Sequence, residues 1–120
     1  MTSVRIAPPN SVVLIEDSLG GDIPESMNQS LVASTDSCIA VGCRAEADGE
    51  TEIIIDDYDR SDIGELIFDG VLRTDSQKLV VSTVLSAVLL EAQVPDTETR
   101  LRIWANDRRE PDRILIGIKR

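Results

Sequence analysis

The longest apolar run in the chain, Lys78–Val94 (KLVVSTVLSAVLLEAQV), contains no Gly, no Pro and a single acid near its end. Read with period 2, it puts Val80, Ser82, Val84, Ser86, Val88 and Leu90 on one face. Leu79, Val81, Thr83, Leu85, Ala87 and Leu89 fall on the other. β-Branched residues are dense, which suits a pleated surface. Two partly apolar faces predict a strand buried between layers. A helical reading also exists, with Lys78, Ser82 and Ser86 as a polar stripe at i, i+4. The β-branched content favours strand. The run is longer than the usual ~5–6 residues, so a bend or bulge is expected near Leu85–Ser86.

The rest of the chain reads as short strands separated by turn signals. Ser3–Ala7 is an expected edge strand, ended by Pro8-Pro9, and Ser11–Glu16 is a clear apolar strand. Asp22-Ile23-Pro24-Glu25 has the composition of a helix start. With Met27 and Leu31 at i, i+4, it predicts a short helix over Pro24–Val32. Ser37–Arg44 alternates. Asp48-Gly49 suits a type I′ turn, predicting a hairpin whose second strand is Thr51–Asp57. A short strand follows near Val71–Arg73. Thr99–Ala105 and Arg113–Ile118 read as an antiparallel pair. The expectation is a mainly β chain, an antiparallel β-sandwich of about 7–8 strands with one short helix near residues 24–32. A partly open barrel is the alternative. At 120 residues, a single domain over residues 1–120 is expected.

Composition narrows the chemistry. The only aromatics are Tyr58, Phe68 and Trp104, so the core must be aliphatic, with Trp104 as its largest expected contributor. Cys38 and Cys43 lie on opposite faces of one strand and cannot bridge there. They read as small buried hydrophobes. There is no His, which removes the commonest general base and transition-metal ligand. No G-x-S-x-G elbow or phosphate-binding Gly loop occurs. Asp57, Asp59, Ser61 and Asp62 resemble part of a calcium loop. However, Asp62 stands where that loop needs Gly, and Phe68 where it needs a bidentate Glu. No catalytic residue, cofactor or metal is expected. No 18-residue apolar run or signal-peptide core is present, so a cytoplasmic location without a membrane span is expected.

Charge changes the picture most. Lys and Arg number 12 against 22 Asp and Glu, a formal charge of −10. That disfavours direct nucleic-acid binding and favours a basic protein partner. The acids concentrate in Glu46–Glu65. Glu46, Asp48, Glu50 and Glu52 occupy alternate positions of the expected hairpin, and Asp56, Asp57, Asp59 and Asp62 follow. These eight are the expected partner-binding residues. The C-terminal part is richer in Arg and Lys.

The order of pieces resembles the ComJ-like family, bacterial competence protein J and its relatives. The similar features are the segment Pro24–Val41 ending in SCIAV, the strand ending in EIIID (Glu52–Asp56), and LRTDSQKLVVSTVLSAVLLEAQVPDTETRLRIW (Leu72–Trp104). The family's best-known member is an acidic inhibitor that forms a complex with a DNA-entry nuclease. The resemblance therefore implies a β-sandwich, no enzymatic activity and a protein partner. Together with the charge, it predicts a non-enzymatic inhibitor or immunity-type partner of a basic nuclease or toxin. The alternative is a structural or accessory β-domain that self-associates, for instance as a homodimer.

Overall fold

Strands form in every segment read as a strand, except that Lys78–Val94 breaks at Val84–Ala87, and in two further places. In the computed structural model, which describes residues 1–120, they are β1 (Thr2–Ile6), β2 (Val12–Asp17), β3 (Val32–Ser34), β4 (Cys38–Gly42) and β5 (Thr51–Asp57). β6 (Glu65–Arg73), β7 (Lys78–Thr83), β8 (Val88–Gln93), β9 (Glu98–Ala105) and β10 (Arg113–Ile118) follow. They make two five-stranded sheets. Sheet A has the order β1-β5-β10-β9-β6 and sheet B the order β3-β4-β2-β7-β8. All neighbours are antiparallel except β5 and β10, which run parallel. The expected β-sandwich is thus present. β3, the parallel pair and the N-terminal half of β6 were not foreseen. No helix is long and apolar enough to cross a membrane.

The interior between the sheets is aliphatic, as the shortage of aromatics requires. Val13, Ile15, Ile39, Val41, Ile53, Ile55, Leu79, Val81, Leu101, Ile103, Ile114 and Ile116 form one cluster. The alternate residues point outward. On the outer face of sheet B, Leu14, Cys38 and Ala40 pack with Met27. On the outer face of sheet A, Ile54, Ile63 and Leu115 pack with Trp104. Trp104 is therefore only half-buried and outside the main core, contrary to expectation. The alternation of β9 sends Leu101, Ile103 and Ala105 inward instead.

Three expectations about individual elements also fail, each because a local signal met a stronger long-range one. The helix over Pro24–Val32 does not form. Ser18–Leu31 is an irregular segment draped over sheet B, and left-handed backbone at Asn28 (φ 50°) and Gln29 (φ 62°) is incompatible with a helix. A nine-residue helix with three apolar residues, Met27, Leu31 and Val32, cannot offset its nucleation cost, whereas Met27 gains a ready apolar sheet face. Gly21 lets this segment approach closely, since a Cβ there would lie 2.1 Å from the Ser37 carbonyl oxygen.

The Asp48-Gly49 hairpin is also wrong. β4 belongs to sheet B and β5 to sheet A, so the connection crosses between sheets. Glu46–Asp48 is a 3₁₀ turn, and Gly49 uses its freedom (φ 121°) to redirect the chain. β4 and β5 are each apolar on both faces, and each takes a more central place than a mutual pair would allow. β5 pairs with β1 and β10, and β4 with β2 and β3.

Lys78–Val94, finally, is two strands. The chain reverses at Val84–Ala87 and β7 pairs with β8. The expected bend at Leu85–Ser86 is a full turn, with Ser86 at φ 66°. Burial along the whole run fails accordingly, since Val84, Leu85 and Val88 are exposed.

Cys38 and Cys43 lie on opposite faces as expected, one in the outer cluster and one in the interior. Burial pushes both thiols up to about 12. Native protein should therefore resist alkylation near neutral pH. Both cysteines should label with a thiol reagent only after denaturation, which mass spectrometry would read directly. Rapid labelling of either in the native protein would contradict this packing.

Candidate functional site

The eight acids singled out by sequence are distributed along and beyond β5, and the fold treats them differently. Glu52, at the start of β5, lies between two flanking strands. It pairs with Arg113 of β10 at 3.0 Å and Arg5 of β1 at 3.7 Å. Asp56 and Asp62 are held together by Arg60, at 3.0 Å and 2.6 Å respectively. The Asp57 N–H and Arg60 keep the Asp56 carboxyl below its usual range. The Arg60 guanidinium does the same for Asp62. These three acids are engaged internally.

The other five are exposed and unpaired, in two groups. Glu46, Asp48 and Glu50 surround the 3₁₀ turn before β5. Asp57 ends β5 and Asp59 lies just past it, beside Lys119 and Arg120. The seven residues of β5 separate the groups by roughly 20 Å at the rise of a strand. The structure therefore yields an acidic corner and a separate mixed-charge end instead of one continuous acidic face.

At that mixed end, Tyr58 gathers cations. The Arg102 guanidinium lies 4.2 Å from its ring centroid. Arg100 donates to the Tyr58 hydroxyl at 3.1 Å and to Asp69 at 3.1 Å. The basic C-terminal residues are thus partly used within the fold. No three His, Cys, Asp or Glu side chains converge closely enough to hold a metal ion.

Sequence reasoning placed a bend at Leu85–Ser86 but missed that the chain reverses there, with β7 pairing β8. Val84, Leu85 and Val88 are 36%, 74% and 55% exposed, and the tip is firmly built. The Thr83 N–H donates to the Ala87 carbonyl at 2.9 Å, and the Ser86 N–H donates to the Thr83 carbonyl at 3.0 Å. The Thr83 hydroxyl accepts from the N–H groups of Leu85 and Ala87. Along the chain, this tip looks like part of a buried strand. Only the Ser in its middle interrupts the apolar run.

The tip and the acidic corner share one end of the sandwich. Val13, at the start of β2, is opposite Thr83, and Ile6, at the end of β1, is opposite Thr51. The short connection from β1 to β2 touches the Glu46–Asp48 turn. Asp57 and Asp59 are at the other end.

No protein-family profile matches the chain, and no curated protein matches it in sequence. Among solved structures, two stacked sheets in this arrangement place the chain in one class of β-sandwich. That class includes ComJ, the inhibitor of the DNA-degrading activity of NucA from Bacillus subtilis. The likeness has a TM-score of 0.70 and 11% identity, and it covers 99% of this chain and 95% of ComJ. The resemblance read from the sequence is thus borne out at the level of the fold.

Proposed function

We propose that this chain is a non-enzymatic inhibitor that binds a nuclease and blocks its access to DNA. The observation that carries the reading is the end-to-end likeness to a nuclease inhibitor. The net charge of −10 is consistent with it. A nuclease must attract polyanionic DNA, so its active face is the kind of basic surface an acidic protein can occupy in competition. In this reading, Glu46, Asp48 and Glu50 accelerate encounter, because no internal cation pairs with them. Glu52, Asp56 and Asp62 contribute mainly to the fold. Asp57 and Asp59 add to the overall field.

The test adds the purified chain to DNA-degradation assays with candidate nucleases, starting with the products of neighbouring genes. Cleavage should fall in proportion to added chain, and the two should co-elute on gel filtration. Unchanged cleavage at a large excess, with no co-elution, would end this reading. Changing Glu46, Asp48 and Glu50 together to their amides should slow association severalfold at low salt and leave dissociation nearly unchanged. The difference should shrink as salt shortens the range of attraction to ~8 Å and below.

A further inference from the structure

The outer face of sheet B bears a groove beside the exposed hairpin tip. Its floor is Leu14, Val80 and Ser82, which are nearly buried. One wall is Ile23, from the segment draped over the sheet, and the other is Val84 and Val88. Ile23 is 58% exposed despite being aliphatic. Glu16 of β2 also lines the groove. It takes part in none of the ten ion pairs. Burial pushes its carboxyl up, opposed by the Gly21 N–H, the Cys38 thiol and the Ser82 hydroxyl that face it. Asp17, the other acid at the rim, is already occupied by Ser76 and Leu19.

The groove measures about 190 Å³, below the ~300–1,000 Å³ of small-molecule sites. It suits a side chain of another protein better than a free ligand. An aliphatic rim around one unpaired carboxylate matches a long side chain with an apolar stem and a cationic head. A rigid tip with exposed Leu85 next to it supplies the apolar anchor that strong interfaces use.

A second copy of this chain would also cover apolar surface. Two copies carry −10 each, so a contact between copies here would oppose like net charges. Charge therefore selects a basic occupant.

We propose that the Glu16 groove and the Val84–Val88 tip form the docking surface for a basic protein. That protein would insert an Arg or Lys between Ile23 and Val88 and pack aliphatic side chains on Leu85. This deepens the nuclease-inhibitor reading and rests on it for the partner's class; the acidic corner attracts, and this surface holds.

Two arms separate the claims. In the first, Leu85→Ser/Val88→Ser and Glu16→Gln are compared with the parent in the nuclease assay and by dissociation rate. The double variant should need about tenfold more protein for equal inhibition, and Glu16→Gln severalfold more, both through faster dissociation. Asp57→Asn/Asp59→Asn, at the far end, should not share this effect. If the parent inhibits and the tip and groove variants inhibit equally well, the docking surface is wrong while the inhibitor reading stands.

The second arm needs no nuclease. The isotope-labelled chain is titrated with a short peptide of alternating Ile and Arg in about 0.15 M salt. A Ser/Arg peptide of equal charge is the control. Amide shifts at Glu16, Ser82 and Val88 with the first peptide alone support the surface, even if the nuclease is not inhibited. Shifts confined to the acidic corner, or equal with both peptides, overturn it. Sedimentation showing a parent dimer that Leu85→Ser/Val88→Ser dissociates would assign the surface to a second copy and overturn the basic occupant.

Discussion

Ile103→Ala is expected to cost about 3–4 kcal/mol of stability, more than Trp104→Ala, although tryptophan is the far larger side chain. Ile103 is fully buried between the sheets. It lies opposite Ile116 of β10 and Phe68 of β6. Truncation there removes transfer energy and leaves a cavity that two hydrogen-bonded sheets cannot easily close. Trp104 stands on the outer face of sheet A, covering Ile54, Ile63 and Leu115. Its indole N–H is buried without a partner, which offsets part of what its area contributes. About 2 kcal/mol is expected for Trp104→Ala, roughly the value of partial burial. Chemical denaturation of both variants gives the comparison, with native tryptophan emission only moderately blue-shifted. A loss at Trp104 exceeding that at Ile103 would return tryptophan to the role its size suggests.

The second large effect is expected at Asp17. This carboxylate is 4% exposed. Oδ1 accepts from the Ser76 N–H at 3.0 Å and the Ser76 hydroxyl at 2.7 Å, and Oδ2 accepts from the Leu19 N–H at 3.1 Å. It pins the end of β2 to the turn between β6 and β7. Burial opposes its ionisation, but these bonds outweigh it and hold the carboxyl below its usual range. Asp17→Ala should cost about 2–3 kcal/mol, because charged hydrogen bonds are lost and donors are stranded. Asp17→Asn, which keeps one acceptor oxygen, should fall between. The pH dependence follows from the sign of the shift. A depressed folded pKa gives stability that is complete above the unfolded value of ~3.9. That stability is lost as pH falls through the lower folded value. The parent should therefore lose stability on acidification below about pH 4 more steeply than Asp17→Ala. Parallel acid limbs in the two proteins would mean that Asp17 titrates as an ordinary surface acid.

Strand existence was legible either as alternation, as in Thr99–Ala105, or as a short apolar run bounded by turn signals, as in Ser11–Glu16, Thr51–Asp57 and Arg113–Ile118. An apolar/polar period of two can be satisfied only by a pleated chain with one or both faces covered. The aliphatic core and the isolation of the two cysteines were legible for the same reason, since composition and parity decide them without knowledge of partners. Pairing was not. Asp48-Gly49 is a sound local turn, but whether it closes a hairpin depends on β1 and β10 competing for the edges of β5.

The candidate site shows the same division. The sequence determined that the chain is strongly acidic and where along it the acids are dense. The tertiary structure decided which acids Arg5, Arg60 and Arg113 neutralise. It also decided that Glu46–Glu50 and Asp57–Asp59 lie at opposite ends of β5. It turned Lys78–Val94, which alone reads as one buried strand, into a hairpin with an exposed tip. Hydrophobicity reports how much a residue gains from burial. Whether a neighbour is there to bury it depends on strands far away in the chain, and at Val84, Leu85 and Val88 the fold places none.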